Sequence, residues 1–307
     1  MSIVESAVGR VKKAPIEASD RPEMVSHGRA PEPIGLDTSP RIRVSQSPLW
    51  QSRQPMIKFD VEQLRSARLY PPHAFAPKQR DDYRSLRREV IAASRAMNSS
   101  AGQSVGPIIV VTSALPGDGK SYTAINLALS IAGENVHDVL LIDGDTIKRT
   151  VSRGFGVENR PGLIELLSDP QANFLEYTAP TSNSKLHILP AGNRDESSAD
   201  LLSAGRIEPL FDSIRRTMAG HFVVVDTPPI LISSETPTFT DSAGQVLLVV
   251  YAGRTLQDSV KDAISRIRES VPVGVVLNGW VPTLPSDKKA YAAYYEYQKA
   301  AAGSSAK

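Results

Sequence analysis

Six short apolar runs occur within residues 107–279, and they restrict the fold more than any other feature of this chain. The runs are continuous rather than alternating, which is typical of strands covered on both faces. Segments compatible with helices separate most of them, at residues 121–132, 204–218 and 255–267. Strand and helix in alternation predict an α/β fold, a parallel sheet flanked by helices on both faces. The runs span 107–113, 138–145, 185–192, 221–229, 245–253 and 271–279.

The two ends of the chain differ from this central part. Residues 1–80 hold ten of the 23 prolines among many Ser, Arg and Gln residues. Such a composition buries too little apolar surface to offset chain entropy, so we predict a largely disordered arm with one short helical stripe in its first dozen residues. We therefore predict a domain over 81–285 and a separate tail over 286–307.

Composition excludes several classes of site. There is no cysteine, which rules out a disulfide framework, a thiolate metal site and a cysteine nucleophile. The first residues lack the apolar core of a secretory signal, and no apolar run approaches the roughly 20 residues needed to cross a bilayer. We expect a cytoplasmic protein that a partner brings to the inner face of the membrane. The mild basic excess of the arm is typical of a solvated segment, so no nucleic acid is expected as a partner.

The first apolar run leads into the stretch SALPGDGKS, residues 113–121, and then into a helical segment. In a phosphate-binding loop, Gly117 and Gly119 let backbone N–H groups approach phosphates. Lys120 would reach the β- and γ-phosphates, and the Ser121 hydroxyl would bind Mg²⁺. The common pattern has a further glycine where Ala114 stands. The position between strand and helix nevertheless predicts an ATP site.

Carboxylates follow two other strands. Asp143 and Asp145 end the second apolar run, and Asp226 ends the fourth. The carboxyl ends of parallel strands meet at one edge of a sheet, beside the phosphate loop. We expect Asp145 and Asp226 to complete the Mg²⁺ site with Ser121. Asp143 is then available to orient a hydroxyl and to take its proton late in phosphoryl transfer.

Four of the nine tyrosines lie close together near the end of the chain, at positions 291, 294, 295 and 297. The first three lie on one face of a helix, so they could pack the tail onto the domain. With an ATP site and carboxylates in the same chain, they could instead accept phosphate. We predict that Tyr291, Tyr294, Tyr295 and Tyr297 are phosphoacceptors.

These motifs resemble the bacterial protein-tyrosine kinases of capsule and exopolysaccharide synthesis, over residues 81–298. The resemblance implies a P-loop NTPase-type fold, ATP and Mg²⁺ as cofactors, and autophosphorylation of the tail that regulates polysaccharide synthesis and export. Lys120, Asp143, Asp145 and Asp226 would then be catalytic. In the same family Asp118 and Tyr122 would join the nucleotide site, and Asn278 would contact adenine.

The resemblance also implies partners. The stretch DDYRSLRRE resembles the family's ring-forming motif, with Asp81, Arg84 and Arg87 at its key positions. A homo-oligomeric ring is therefore expected. A membrane polysaccharide co-polymerase or chain-length regulator is expected as the activator, and a cognate tyrosine phosphatase as the opposing enzyme. The opening MSIVESAVGR and the lack of membrane spans resemble the exosortase-associated subgroup.

Some positions depart from the family pattern. Ile147 stands where an arginine is usual, and the helix motif begins with Asp81 rather than Glu. A partition or septum-positioning ATPase is an alternative, but those proteins carry a second lysine where this chain has Leu115. A regulator that binds ATP without catalysis is a further alternative, and the full set of acidic groups argues against it.

Overall fold

The computed structural model describes residues 52, 54–73, 76–101, 108–196, 198–203 and 205–280. The predicted N-terminal stripe and the predicted tail over 286–307 lie outside these residues.

Seven strands of the described residues form one sheet, in the order β3-β4-β2-β5-β1-β6-β7. All neighbouring pairs are parallel except β3 with β4. The six predicted strands are confirmed, and the short antiparallel β3 was not predicted because two residues leave no apolar pattern. The strands are β1 (Ile108–Ser113), β2 (Val139–Asp143), β3 (Ala179–Pro180), β4 (Leu186–Leu189), β5 (Phe222–Asp226), β6 (Gln245–Tyr251) and β7 (Val273–Asn278).

Helices cover both faces of this sheet, as predicted. The predicted helical segments 121–132, 204–218 and 255–267 correspond to α3, α8 and α10. The helices are α1 (Val61–Ser66), α2 (Ala76–Ala101), α3 (Lys120–Ala132), α4 (Thr150–Gly154), α5 (Leu163–Ser168), α6 (Phe174–Tyr177), α7 (Ser198–Ser203), α8 (Ile207–Thr217), α9 (Thr236–Asp241) and α10 (Gln257–Ser265). No helix of the described residues is long and apolar enough to cross a membrane.

The central strand β1 shows why its apolar run is continuous. Ile108 and Val110 belong to a core that also contains Phe211 and Phe239, from α8 and α9. Ile109 and Val111 point to the other face, into a second core that includes apolar residues of α2 and α3. Because both faces of β1 are fully buried, polar and apolar residues do not alternate along the strand.

Some described residues that precede the predicted boundary at residue 81 pack on the domain. Helix α2 starts at Ala76, and the segment 54–73 packs on the domain. Ile57 bridges to Thr181 beside β3, and Leu64 and Leu69 are buried in the second core. These few apolar side chains, spaced among polar residues and prolines, anchor a segment whose average composition suggested disorder.

Candidate active site

The phosphate loop connects β1 to α3 at the carboxyl edge of the sheet. Gly117 and Gly119 adopt positive φ angles of 88° and 99°, which L-residues with side chains rarely adopt. A Cβ on Gly119 would also collide with the side chain of Asn278. Helix α3 begins at Lys120, so its first free N–H groups and its dipole face the loop. The loop therefore fits a chain of phosphates.

The Asp118 side chain holds the phosphate loop in place, and its expected contact with the nucleotide stays a prediction. Its carboxylate accepts hydrogen bonds from the Thr255 hydroxyl at 2.8 Å and from Arg254 at 3.1 Å. The Leu115 N–H donates to the same carboxylate at 3.3 Å. Asn278 donates from Nδ2 to the Asp118 carbonyl at 2.9 Å. In this structure Asp118 and Asn278 thus brace the phosphate loop.

Lys120 lies between the predicted magnesium ligands. Its Nζ donates to Asp145 Oδ2 at 2.7 Å and lies 3.6 Å from Asp226 Oδ1. It also donates to Ser121 Oγ at 3.3 Å. Burial alone would lower the pKa of Lys120, but the carboxylates of Asp226 and Asp145 raise it on balance. The structure therefore brings together the four residues that the sequence assigned to phosphate and metal binding.

The carboxylate of Asp226 is fully buried at the end of β5. Neither of its oxygens has a hydrogen-bond partner among the described residues. Burial raises the pKa of Asp226, and the nearby Lys120 ammonium opposes that shift. The Lys120 ammonium, at 3.6 Å, is a cation that faces this carboxylate, and the same oxygens could also bind a metal ion. Asp226, Asp145 and the Ser121 hydroxyl are oxygen ligands of the kind Mg²⁺ prefers.

No cage of three or more carboxylate or imidazole groups exists in the described part of the chain. Mg²⁺ needs none, because it usually binds through one or two carboxylates together with substrate phosphates. The residues present therefore fit a magnesium ion that arrives with ATP.

Asp143 ends β2 beside Asp226 and is held by one oxygen only. The backbone N–H and the hydroxyl of Ser152 each donate to Asp143 Oδ2 at 2.7 Å. Oδ1 has no hydrogen-bond partner in the described residues. Burial, and then the negative charge of Asp226, raise the pKa of Asp143 to about 7, although Ser152 opposes this shift. An oriented carboxyl with one free oxygen and a pKa near neutrality is suited to accept a proton.

The chain is similar in sequence to known bacterial proteins. No family model matches the chain. The tyrosine-protein kinase YwqD of Bacillus subtilis is 33% identical over 205 residues, covering 65% of this chain and 80% of that protein. The chain belongs to the bacterial tyrosine-protein kinases.

Two further comparisons agree with this assignment. The putative tyrosine-protein kinase EpsB of Ralstonia solanacearum is 32% identical over 57% of this chain, which spans only 23% of that longer protein. The solved BceF tyrosine kinase domain matches with a TM-score of 0.57 and 28% identity, covering 73% of this chain and 91% of that domain. Because the chain belongs to the tyrosine-protein kinases, the alternative of a partition or septum-positioning ATPase is not supported. Membership of the exosortase-associated subgroup stays a prediction.

Tyr122 follows Ser121 in the sequence, and its side chain contacts helix α2. The Tyr122 hydroxyl donates to Gln79 Oε1 of α2 at 3.0 Å, and its ring centroid lies 6.3 Å from that of Tyr83. Burial raises the pKa of both phenols. The expected contact of Tyr122 with the nucleotide stays a prediction.

The predicted ring motif on α2 divides into two parts. Arg84 is 61% exposed and donates to Asp81 Oδ1 at 2.7 Å. Arg87 is only 12% exposed, donates to the Ser130 carbonyl at 2.7 Å and forms an ion pair with Glu134 at the end of α3. Arg87 therefore holds α2 on α3, whereas Arg84 is accessible to a neighbour.

Three residues in or beside the candidate site were not predicted from the sequence. Arg254 and Arg194 follow β6 and β4, so the strand-end argument that found the aspartates could have found them too. Arg254 lies beside Gly117, with its guanidinium carbon 4.1 Å from the centroid of the Tyr251 ring. Ser152 lies in α4 and gives no signal in the sequence. The tyrosine cluster lies outside the described residues.

Proposed function

We propose that this tyrosine kinase uses Mg-ATP to phosphorylate its own cluster, Tyr291, Tyr294, Tyr295 and Tyr297. The observation that carries the proposal is the group of buried carboxylates around Lys120 at the end of the phosphate loop. A switch ATPase needs groups that bind a nucleotide and a metal ion. Asp143, with one oxygen held by Ser152 and the other free, is the additional group that a hydroxyl acceptor requires.

The chemistry follows from these positions. The tyrosine oxygen attacks the γ-phosphorus of ATP, the bond to the β,γ-bridging oxygen breaks, and ADP leaves. The phenol has a pKa of about 10, so its proton passes to Asp143 Oδ1 late, as the bond to phosphorus forms. Lys120 leaves Asp145 and Asp226 to reach the phosphates, where it stabilises the developing charge. Mg²⁺, when held by Ser121, Asp145 and Asp226, would supply further neutralising charge.

Two partly buried tyrosines near the site are poor acceptors. Tyr83 and Tyr122 pack between α2 and α3, and the Tyr122 hydroxyl already donates to Gln79. Burial raises the pKa of both phenols, which makes loss of their protons harder. This favours acceptors in the tail.

We also propose how the kinase assembles and how it is regulated. Arg84, with Asp81, would contact a neighbouring copy in a ring, while Arg87 supports the helix that carries them. Phosphates on the tail would repel one another and loosen the ring. The kinase would thereby regulate synthesis and export of a capsular or extracellular polysaccharide. It would work at the inner face of the membrane, activated by a membrane co-polymerase or chain-length regulator and reset by a tyrosine phosphatase.

A series of Tyr→Phe variants at 291, 294, 295 and 297 tests the acceptor assignment. Labelling with radioactive ATP should fall progressively with the number replaced, because clustered acceptors can substitute for one another. The melting temperature should stay the same, and an added tyrosine peptide should still be labelled. Undiminished labelling of the fourfold variant would show that the acceptors lie elsewhere.

A further inference from the structure

The exposed apolar side chains of the described residues are concentrated at one edge of the sheet. Single exposed hydrophobic residues are ordinary, whereas contiguous apolar surface beside a site is typical of binding surfaces. Of nine large exposed hydrophobic residues, six follow or end strands at the carboxyl edge that holds the active site: Leu115, Ile147, Ile232, Leu256, Leu277 and Trp280.

Two of these residues lie on the Asp143 side of the site. Ile147 is 60% exposed and follows β2, and Ile232 is 63% exposed and follows β5. These strands are neighbours in the sheet. Arg194 joins the two loops, because it donates to the Thr146 hydroxyl at 2.6 Å and to Glu235 at 2.9 Å. The two isoleucines are thus carried by connected loops beside the carboxyl that accepts the proton.

We propose that Ile147 and Ile232 form an apolar rim that recognises segment 290–298 of this chain and presents one of its tyrosines to the site. The proposal rests on the function proposed above and adds how the substrate is selected. The segment reads AYAAYYEYQ, with four tyrosines, three alanines and a single charged residue. When one tyrosine enters the site, the rings and methyl groups beside it can cover the two isoleucines. The usual arginine in place of Ile147 would not offer this apolar surface.

The length of the chain outside the described residues allows this contact. Trp280 follows β7, and Asn278 is bonded to the phosphate loop, so the chain leaves the sheet at the edge that holds the site. From β7 to β2 there are four strand spacings, about 19 Å in total. Tyr291 follows Trp280 by eleven residues, which span at most about 36–40 Å when extended. The segment can therefore reach the rim of its own chain.

The test uses the full chain with all four tail tyrosines changed to phenylalanine, so that it cannot label itself. Two added peptides are compared, one with the sequence of residues 288–299 and one with a single tyrosine among Ser and Glu residues. In this background, Ile147→Ser or Ile232→Ser should each reduce the preference in kcat/KM for the tail peptide about fivefold, and the double variant about twentyfold. Val136→Ser, which alters a residue 51% exposed at the opposite edge of the sheet, should leave the preference unchanged.

The outcomes separate the two proposals. If the parent labels the tail peptide and the double variant keeps the full preference, the rim is wrong and the proposed function stands. If the parent labels neither peptide, the proposed kinase reaction itself fails. If the isoleucine variants keep the preference but lose self-association in light scattering, the surface joins copies of the chain and the recognition proposal is overturned.

Discussion

Replacement of Lys120 by methionine should destabilise the ligand-free kinase as well as inactivate it. The ammonium lies 2.7 Å from Asp145 and 3.6 Å from Asp226, and all three side chains are almost completely buried. Removal of one partner from a buried ion pair costs about 3–5 kcal/mol, because charge remains without compensation. For a domain of this size, about 3 kcal/mol corresponds to a fall in Tm of about 6–12 °C. The loss of the charge that reaches the phosphates should also reduce the rate a hundredfold or more.

The assay is thermal unfolding followed by circular dichroism in EDTA without nucleotide, beside a radiolabelled-ATP assay. Asp145→Asn is the matched control, because Lys120 then keeps Asp226 as its partner and stability should change little. The double variant with Lys120→Met and Asp145→Asn should recover much of the lost Tm and remain inactive. If Lys120→Met alone melts within about 2 °C of the parent, the ammonium is not what compensates these carboxylates.

Three further predictions follow from single contacts. Ser152→Ala removes one donor from Asp143 and should reduce kcat about tenfold, with KM for ATP unchanged; an unaltered kcat would contradict the positioning role. Arg84→Ala should reduce the oligomer mass in light scattering, whereas Arg87→Ala should mainly lower Tm; equal effects would remove the distinction between them. Burial lowers the pKa of His187 to about 4, so the unfolded chain gains a proton below pH about 6.5 while the folded chain does not. This group should therefore reduce the free energy of unfolding by about 2 kcal/mol between pH 7 and 5; His187→Gln should flatten that slope in urea titrations, and an unchanged slope would be evidence against it.

The fold could be predicted because its signal is local. Each of the six continuous apolar runs indicates by itself a strand buried on both faces. Parallel strands place their carboxyl ends at one edge of the sheet. Asp143, Asp145, Asp226 and Lys120 therefore converge as the strand-end argument requires.

Contacts between residues distant in sequence could not be predicted. Asp118 lies in a nucleotide-binding motif, yet its partners Arg254 and Thr255 are 136 and 137 residues away. Arg87 fits a ring motif, but Ser130 and Glu134 already bind it. A motif identifies which chemical group is present, and only the packing decides what that group faces.

Phosphotyrosine mapping by mass spectrometry, on the purified chain incubated with Mg-ATP, tests the central claim most directly. The account predicts phosphate on Tyr291, Tyr294, Tyr295 and Tyr297, and none when Asp143→Asn is incubated in parallel under the same conditions. Phosphate found mainly on Tyr83 or Tyr122, or a chain that hydrolyses ATP without labelling any tyrosine, would contradict it.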